Sequence, residues 1–146
     1  MGSMRVSKQN RLLIIVAGLL LATGASCSLT KSKGIAEDAV KQFHDRYNAG
    51  KFHEIYLEAD EGFKKAASEA DFTAILEAMQ RKLGAVKSSN PASWNVGATT
   101  SGTIATLTYD VDFAEGKGAE QFVFHIDGDK AMLFNYNVNS PLLITK

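Results

Sequence analysis

The sequence predicts an α+β domain in which three N-terminal helices cover one face of a four-stranded antiparallel meander. Apolar residues recur every three or four positions between Ala36 and Leu83, and from Trp94 onward they recur every second position. Short turn-forming segments separate the alternating runs, as a meander requires. The 146 residues, 45% hydrophobic and 22% charged, suit one globular domain with a core large enough to need no disulfide.

The first helix is expected where Ala36, Val40, Phe43 and Tyr47 form one apolar stripe, with Glu37, Lys41 and Asp45 on the other side. Asn48-Ala49-Gly50 is a left-handed helix stop. A second, shorter helix carries Phe52, Ile55, Tyr56 and Ala59, and after a break at Gly62 the residues Phe63, Ala66 and Ala67 continue the apolar material. Ser68 caps a third helix with Asp71 at its third position, its stripe being Phe72, Ile75, Leu76, Met79 and Leu83 and its stop Gly84. Lys87 to Ser93, which contains Pro91, reads as a polar loop.

Four alternating runs follow. Inward positions are expected at Trp94, Val96 and Ala98, then at Ala105, Leu107, Tyr109, Val111 and Phe113. Phe122, Phe124 and Ile126 form the third run, and Met132, Phe134, Tyr136 and Val138 the fourth. A turn at Ser101-Gly102 would pair Thr100 with Thr103 and set Val96 opposite Leu107 and Trp94 opposite Tyr109. Gly116-Lys117-Gly118 and Asp127-Gly128-Asp129 supply the other reversals.

The N-terminus has a different character. Arg5, Lys8 and Arg11 precede the apolar run Leu12 to Ala22, which at 11 residues is too short to span a bilayer as a helix, for which about 20 are needed. The small residues Thr23, Gly24, Ala25 and Ser26 complete the three-part pattern of a secretory signal peptide over residues 1–26. Removing residues 1–26 takes three of the 16 basic groups and no acid, leaving 13 against 16, a net charge of −3. That balance excludes a nucleic-acid binder acting through a strongly basic surface. A single cysteine, Cys27, excludes an intrachain disulfide framework and any zinc site built on several thiolates.

Gly24-Ala25-Ser26-Cys27 resembles the lipobox of bacterial lipoproteins, with Gly24 where Leu is usual. The resemblance implies cleavage before Cys27, lipidation of its sulfur, and an exported protein attached to a membrane by that lipid. Ordinary cleavage after Gly24 or Ala25 is the alternative and would leave a soluble chain with a bare thiol. Residues 27–34 then serve as lipidated cysteine and tether, Ser28 to Gly34 reaching about 23 Å at most, and residues 35–146 form the domain. Ser28 in place of Asp implies, in a Gram-negative cell, the periplasmic face of the outer membrane.

Helices followed by a curved antiparallel sheet resemble the cystatin-like and NTF2-like folds. The stretch Phe63-Lys64-Lys65-Ala66, Ser68, Asp71-Phe72 and Lys82-Leu83-Gly84 resembles small bacterial lipoproteins of unknown function, of the DUF4019 or DUF3887 type. NTF2-like enzymes use acids or histidines projecting into the helix–sheet pocket, whereas the inward positions inferred here are almost wholly apolar.

No catalytic motif is present, and no cofactor or metal is implied. His44 and His53 fall on different helices without the i,i+4 spacing of a helical metal pair. His125 is expected on the outward sheet face, across from Thr108 and diagonal to Asp110. Asp110 and Asp112 share one side of a strand, and Asn135, Asn137 and Asn139 extend that polar surface; all suit a solvated face, and Asp110, Asp112, His125, Asn135 and Asn137 are the candidate ligand-binding residues. The expected function is a non-enzymatic, lipid-anchored envelope module binding a partner protein or a small apolar ligand between helices and sheet. The alternative is an NTF2-like enzyme using Asp110, Asp112 or His125.

Overall fold

The stripe Ala36–Tyr47 lies on a helix that starts well before it. In the computed structural model, which describes residues 23–145, helix α1 is Thr23–Asn48, followed by α2 (Phe52–Leu57), α3 (Glu61–Ala66) and α4 (Glu69–Leu83). Strands β1 (Val86–Thr99), β2 (Gly102–Phe113), β3 (Gly116–Asp127) and β4 (Lys130–Asn139) and a terminal turn of helix, α5 (Leu142–Thr145), complete the chain. The architecture is α+β, with five helices among the described residues rather than three. Residues 1–22, which hold the basic residues and the apolar run of the expected signal peptide, lie outside the described residues. The chain divides between Lys31 and Ser32 into two units, and the packing below concerns the second.

Ser28 to Gly34, the expected tether, is assigned to α1. Lys33 pairs with Glu37 one turn on, which favours continuing the helix through Gly34. Gly50 takes a φ of +70° just past α1, as the stop there requires. The break after α2 falls at Asp60, whose carboxylate caps α3 by accepting from Gly62 N at 2.7 Å, so Gly62 lies inside α3. Ser68 caps α4 through the Asp71 amide and donates back to the Asp71 carboxylate, and Gly84 (φ +75°) ends it. Of the α4 stripe, Phe72, Leu76, Met79 and Leu83 are buried, but Ile75 is 56% exposed. The contact face of α4 is narrower than its run of apolar residues.

The sheet order is β1-β2-β3-β4, all antiparallel. Lys87 to Ser93 is not a loop but the first half of β1, carried through two irregularities at Lys87 and Ala92. Pro91 is tolerated because β1 is an edge strand. The first turn is Thr100-Ser101, which places Val96 opposite Ala105 and Trp94 opposite Leu107. The second is Ala114-Glu115, so Gly116 to Gly118 already belongs to β3. Both registers differ from expectation by an even number of residues, and the apolar faces still coincide. Trp94 is 54% exposed all the same, because β1 buries only Val96; the Lys33 ammonium lies 5.5 Å from its ring centroid.

A bulge at Phe134 changes the phase of β4. Phe124 pairs with Leu133 and Val123 with Asn135, leaving Phe134 unpaired and 46% exposed. Leu133, rather than Met132 or Phe134, is therefore the buried residue of β4. The core runs from Val40, Phe43 and Tyr47 of α1 through Leu76 and Leu83 of α4 to Leu107, Val111 and Phe122 of the sheet.

The difference between Leu76 (0% exposed) and its neighbour Ile75 is directly measurable. Leu76→Ala should cost about 2–5 kcal/mol in urea unfolding, whereas Ile75→Ala should stay within about 0.5 kcal/mol of the parent.

Candidate functional site

Among the described residues, a groove of about 790 Å³ lies where α1, the α2–α3 segment and the β3–β4 hairpin meet. Helix α1 supplies Ile35 and Ala39, one turn apart; Leu57 and Ala59 come from the end of α2, and Ala131 and Met132 from β4. These six are the apolar part of the lining. The charged part is Asp38 on α1, Glu58, Asp60, Glu61 and Lys64 around α3, and Asp129 and Lys130 at the hairpin. The volume falls in the range typical of small-molecule sites.

Asp60 fixes the wall of this groove. Its amide donates to Leu133 O at 2.9 Å, its Oδ1 caps α3, and its Oδ2 lies 3.2 Å from His125 Nδ1. Gly62 has no side chain where a Cβ would meet the Phe134 ring at 3.0 Å, so α3 can seat against the β4 bulge. On its other side His125 lies against Gly102 (φ +127°), where a Cβ would collide with the imidazole. His125 is thus a brace between the first β-turn and Asp60.

A second cluster is sealed inside the helix–sheet interface. Glu120 on β3 is 1% exposed; its Oε2 lies 2.6 Å from His44 Nε2 on α1, and its Oε1 accepts from the Tyr136 hydroxyl of β4 at 2.5 Å. The Phe43 and Phe122 rings pack edge-on against the imidazole. Desolvation and the adjacent Glu120 carboxylate push the Tyr136 phenol well above its ordinary value, and the same two causes raise Tyr47. Burial, with Glu37 nearby, also raises Tyr109. The inward positions of the sheet are therefore not wholly apolar. The signal was present in the sequence: Glu120 continues the phase of Phe122, Phe124 and Ile126, and His44 lies four residues after Val40 and three before Tyr47.

The residues singled out from sequence are scattered. Asp110 and Asp112 share a shallow hollow of about 320 Å³ with Asn90 and Lys117, and Asp112 accepts from the Ser88 hydroxyl at 3.0 Å. His125 pairs with Ile104, not Thr108, because the second turn falls two residues earlier than expected. Six residues of β2 separate Ile104 from Asp110, about 20 Å along the strand. Asn135 and Asn137 are exposed on β4, and Asn135 Oδ1 accepts from the following amide. His53 is exposed beside Glu69, with Nδ1 and Oε1 2.5 Å apart. Cys27 is an exposed free thiol; of Gly24, Ala25 and Ser26 only the helical backbone is described.

With this geometry in place, the comparison with known families is decisive for kinship. The family model described as "Protein of unknown function (DUF4019)" matches residues 39–134, about two thirds of the chain. The chain belongs to the DUF4019 family. No curated protein matches it. The DUF4019 segment contains His44, Glu120, the Asp60–His125 pair and most of the groove, whereas Cys27 lies outside it.

Two substitutions test the sealed cluster. Glu120→Ala strands a buried imidazole and a buried hydroxyl, and chemical unfolding should register a loss of about 3–5 kcal/mol. The raised phenols imply stability that is full below the ordinary tyrosine value of 10.0 and declines as pH rises above it, because the unfolded chain ionises first. Melting temperature should therefore fall above that pH. Tyr136→Phe should start about 1.5–3 kcal/mol less stable at neutral pH but show a shallower alkaline decline.

Proposed function

We propose that this DUF4019 chain is an exported lipoprotein, held on a cell-envelope membrane by acyl chains on Cys27, whose domain is a binding module rather than an enzyme. The observation that carries the binding reading is the groove, which is lined by both apolar and charged side chains and built on elements that Asp60 ties to the sheet. A small ligand with an apolar body fits that shape; an envelope protein presenting an apolar side chain is the other occupant the surface admits. Binding is favoured over catalysis because both oxygens of the one buried acid among the described residues are already engaged by His44 and Tyr136. Of the alternative acid–base residues, Asp110 and Asp112 share an open hollow, and His125 lies well along the sheet from both. The order of helices and meander supports, in this proposal, a cystatin-like or NTF2-like fold.

The anchor rests on the basic start, the short apolar run and the Gly24-Ala25-Ser26-Cys27 sequence. One acyl chain contributes about 0.8 kcal/mol per buried methylene and binds only marginally, so durable attachment takes two or more. In a Gram-negative cell Ser28 directs the protein to the periplasmic face of the outer membrane.

Mass spectrometry of the mature N-terminus should find an acylated residue 27, and Cys27→Ser should leave the chain unprocessed or mislocalised yet folded. An unmodified mature chain beginning at Ala25 or Ser26 would sink the anchor. For the groove, the neutral apolar probe N-phenyl-1-naphthylamine should bind the purified protein. Leu57→Glu, at a 54% exposed position of the lining, should weaken it about fivefold or more.

A further inference from the structure

Trp94 is the one tryptophan of the chain, and more than half of its surface is exposed. It lies on the inner side of edge strand β1, opposite the buried Leu107, with the Lys33 ammonium of α1 5.5 Å from its ring centroid. Lys33 also pairs with Glu37 at 2.5 Å, so the charge beside the ring is balanced within the domain. Strand β1 carries a single charged residue, Lys87, and no acid, and the Thr100-Ser101 turn beyond it is uncharged. Covering this strip therefore strands no carboxylate. A protein strand is a poor cover for it, because Pro91 and the irregularities at Lys87 and Ala92 interrupt the free edge of β1. An indole with a lysine beside it suits instead the boundary between acyl chains and headgroups, where one side is apolar and the other wet.

Chain length brings such a boundary within reach. Cys27 precedes Lys33 by six residues, and six residues span at most about 21 Å however they are arranged. A tether this short raises the effective concentration of lipid around the domain, so a contact too weak to recruit a free protein becomes populated. We infer that Trp94, with Lys33 beside it, docks on the lipid surface that holds Cys27, so that the domain lies on the membrane by the Trp94 end of β1. This rests on the lipoprotein reading above and adds which part of the domain meets the lipid.

The full chain, purified from membranes and reconstituted in phosphatidylcholine vesicles, reports on this contact because its tryptophan emission comes from Trp94 alone. A control chain carrying Trp94→Phe and Ile144→Trp moves the signal to an exposed position of α5. There the nearby Leu142 lies against Gly116, beside the Val86–Phe113 pair, about 25 Å along β1 from Trp94. Phosphatidylcholine brominated near the headgroup end of its acyl chains should quench Trp94 by about half or more, since an indole at the interface sits at the depth of the bromines. The control should keep its emission. If Trp94 stays as bright as the control while the acylated protein floats with the vesicles, the docking inference is overturned and the anchor stands. If Trp94 emission changes only as protein density in the vesicles rises, a second copy covers the ring and the inference is overturned likewise. If mass spectrometry finds Cys27 bare and the protein does not float, the anchor falls and the docking with it.

Discussion

A carboxylate with 1% of its surface exposed must find its hydrogen-bond donors inside the protein, and that requirement on Glu120 organises the rest of the fold. Its donors come from opposite ends of the chain, His44 on α1 and Tyr136 on β4. For both to reach it, α1 must be rotated so that His44 faces the sheet beside Phe43, and β4 must present Tyr136 on the same side. The bulge at Phe134 makes the second condition compatible with a buried Leu133. In an unbroken strand residues 133 and 136 would face opposite ways; with one extra residue between them both face inward. The same bulge offers Leu133 O to the Asp60 amide and the Phe134 ring to Gly62, so the sealed cluster and the groove wall depend on one irregularity.

Periodicity made the layers legible. The shift from helical to alternating spacing, the Ser68–Asp71 cap and the glycine stops at Gly50 and Gly84 all describe local chemistry, and each is found in the structure. Irregularities with tertiary causes were not legible. Lys87 to Ser93 looks like a loop because it is polar and contains Pro91, but an edge strand exposed on both sides has no need of apolar residues. Ile75 and Trp94 look like core because they are large and in phase, yet burial depends on what lies opposite, and among the described residues both are left more than half exposed.

The site was less legible than the fold for the same reason. Ile35, Leu57, Asp60 and Met132 come from segments nearly a hundred residues apart, and none carries a spacing rule that links it to the others. Asp60 in sequence is an ordinary cap, while its contacts with Leu133 and His125 exist only once the α2–α3 segment has folded against the edge of the sheet. Glu120 is the exception. Its phase placed it inward in plain view, and the prior that acids face water hid it.

Alternation by itself leaves a specific ambiguity that Glu120 removes. Sliding one strand past its neighbour by two residues keeps every apolar side chain on the inner face, so hydrophobic matching does not distinguish such registers. The registers inferred from turn chemistry alone were displaced by even steps for this reason: Val96 was matched to Leu107 in place of Ala105, and His125 to Thr108 in place of Ile104. In β3 a two-residue slip would exchange Phe122 with Glu120 against His44 and Tyr136. An aromatic ring would then face two polar groups while a carboxylate was left among apolar ones. Removing one partner from a buried, hydrogen-bonded acid costs about 3–5 kcal/mol, far more than the packing difference between two phenylalanine positions. A buried polar cluster contributes little net stability compared with well-packed apolar residues, but here it makes one register much better than its even-numbered neighbours. The position of the β3–β4 hairpin, and with it part of the lining of the groove, follows from that choice.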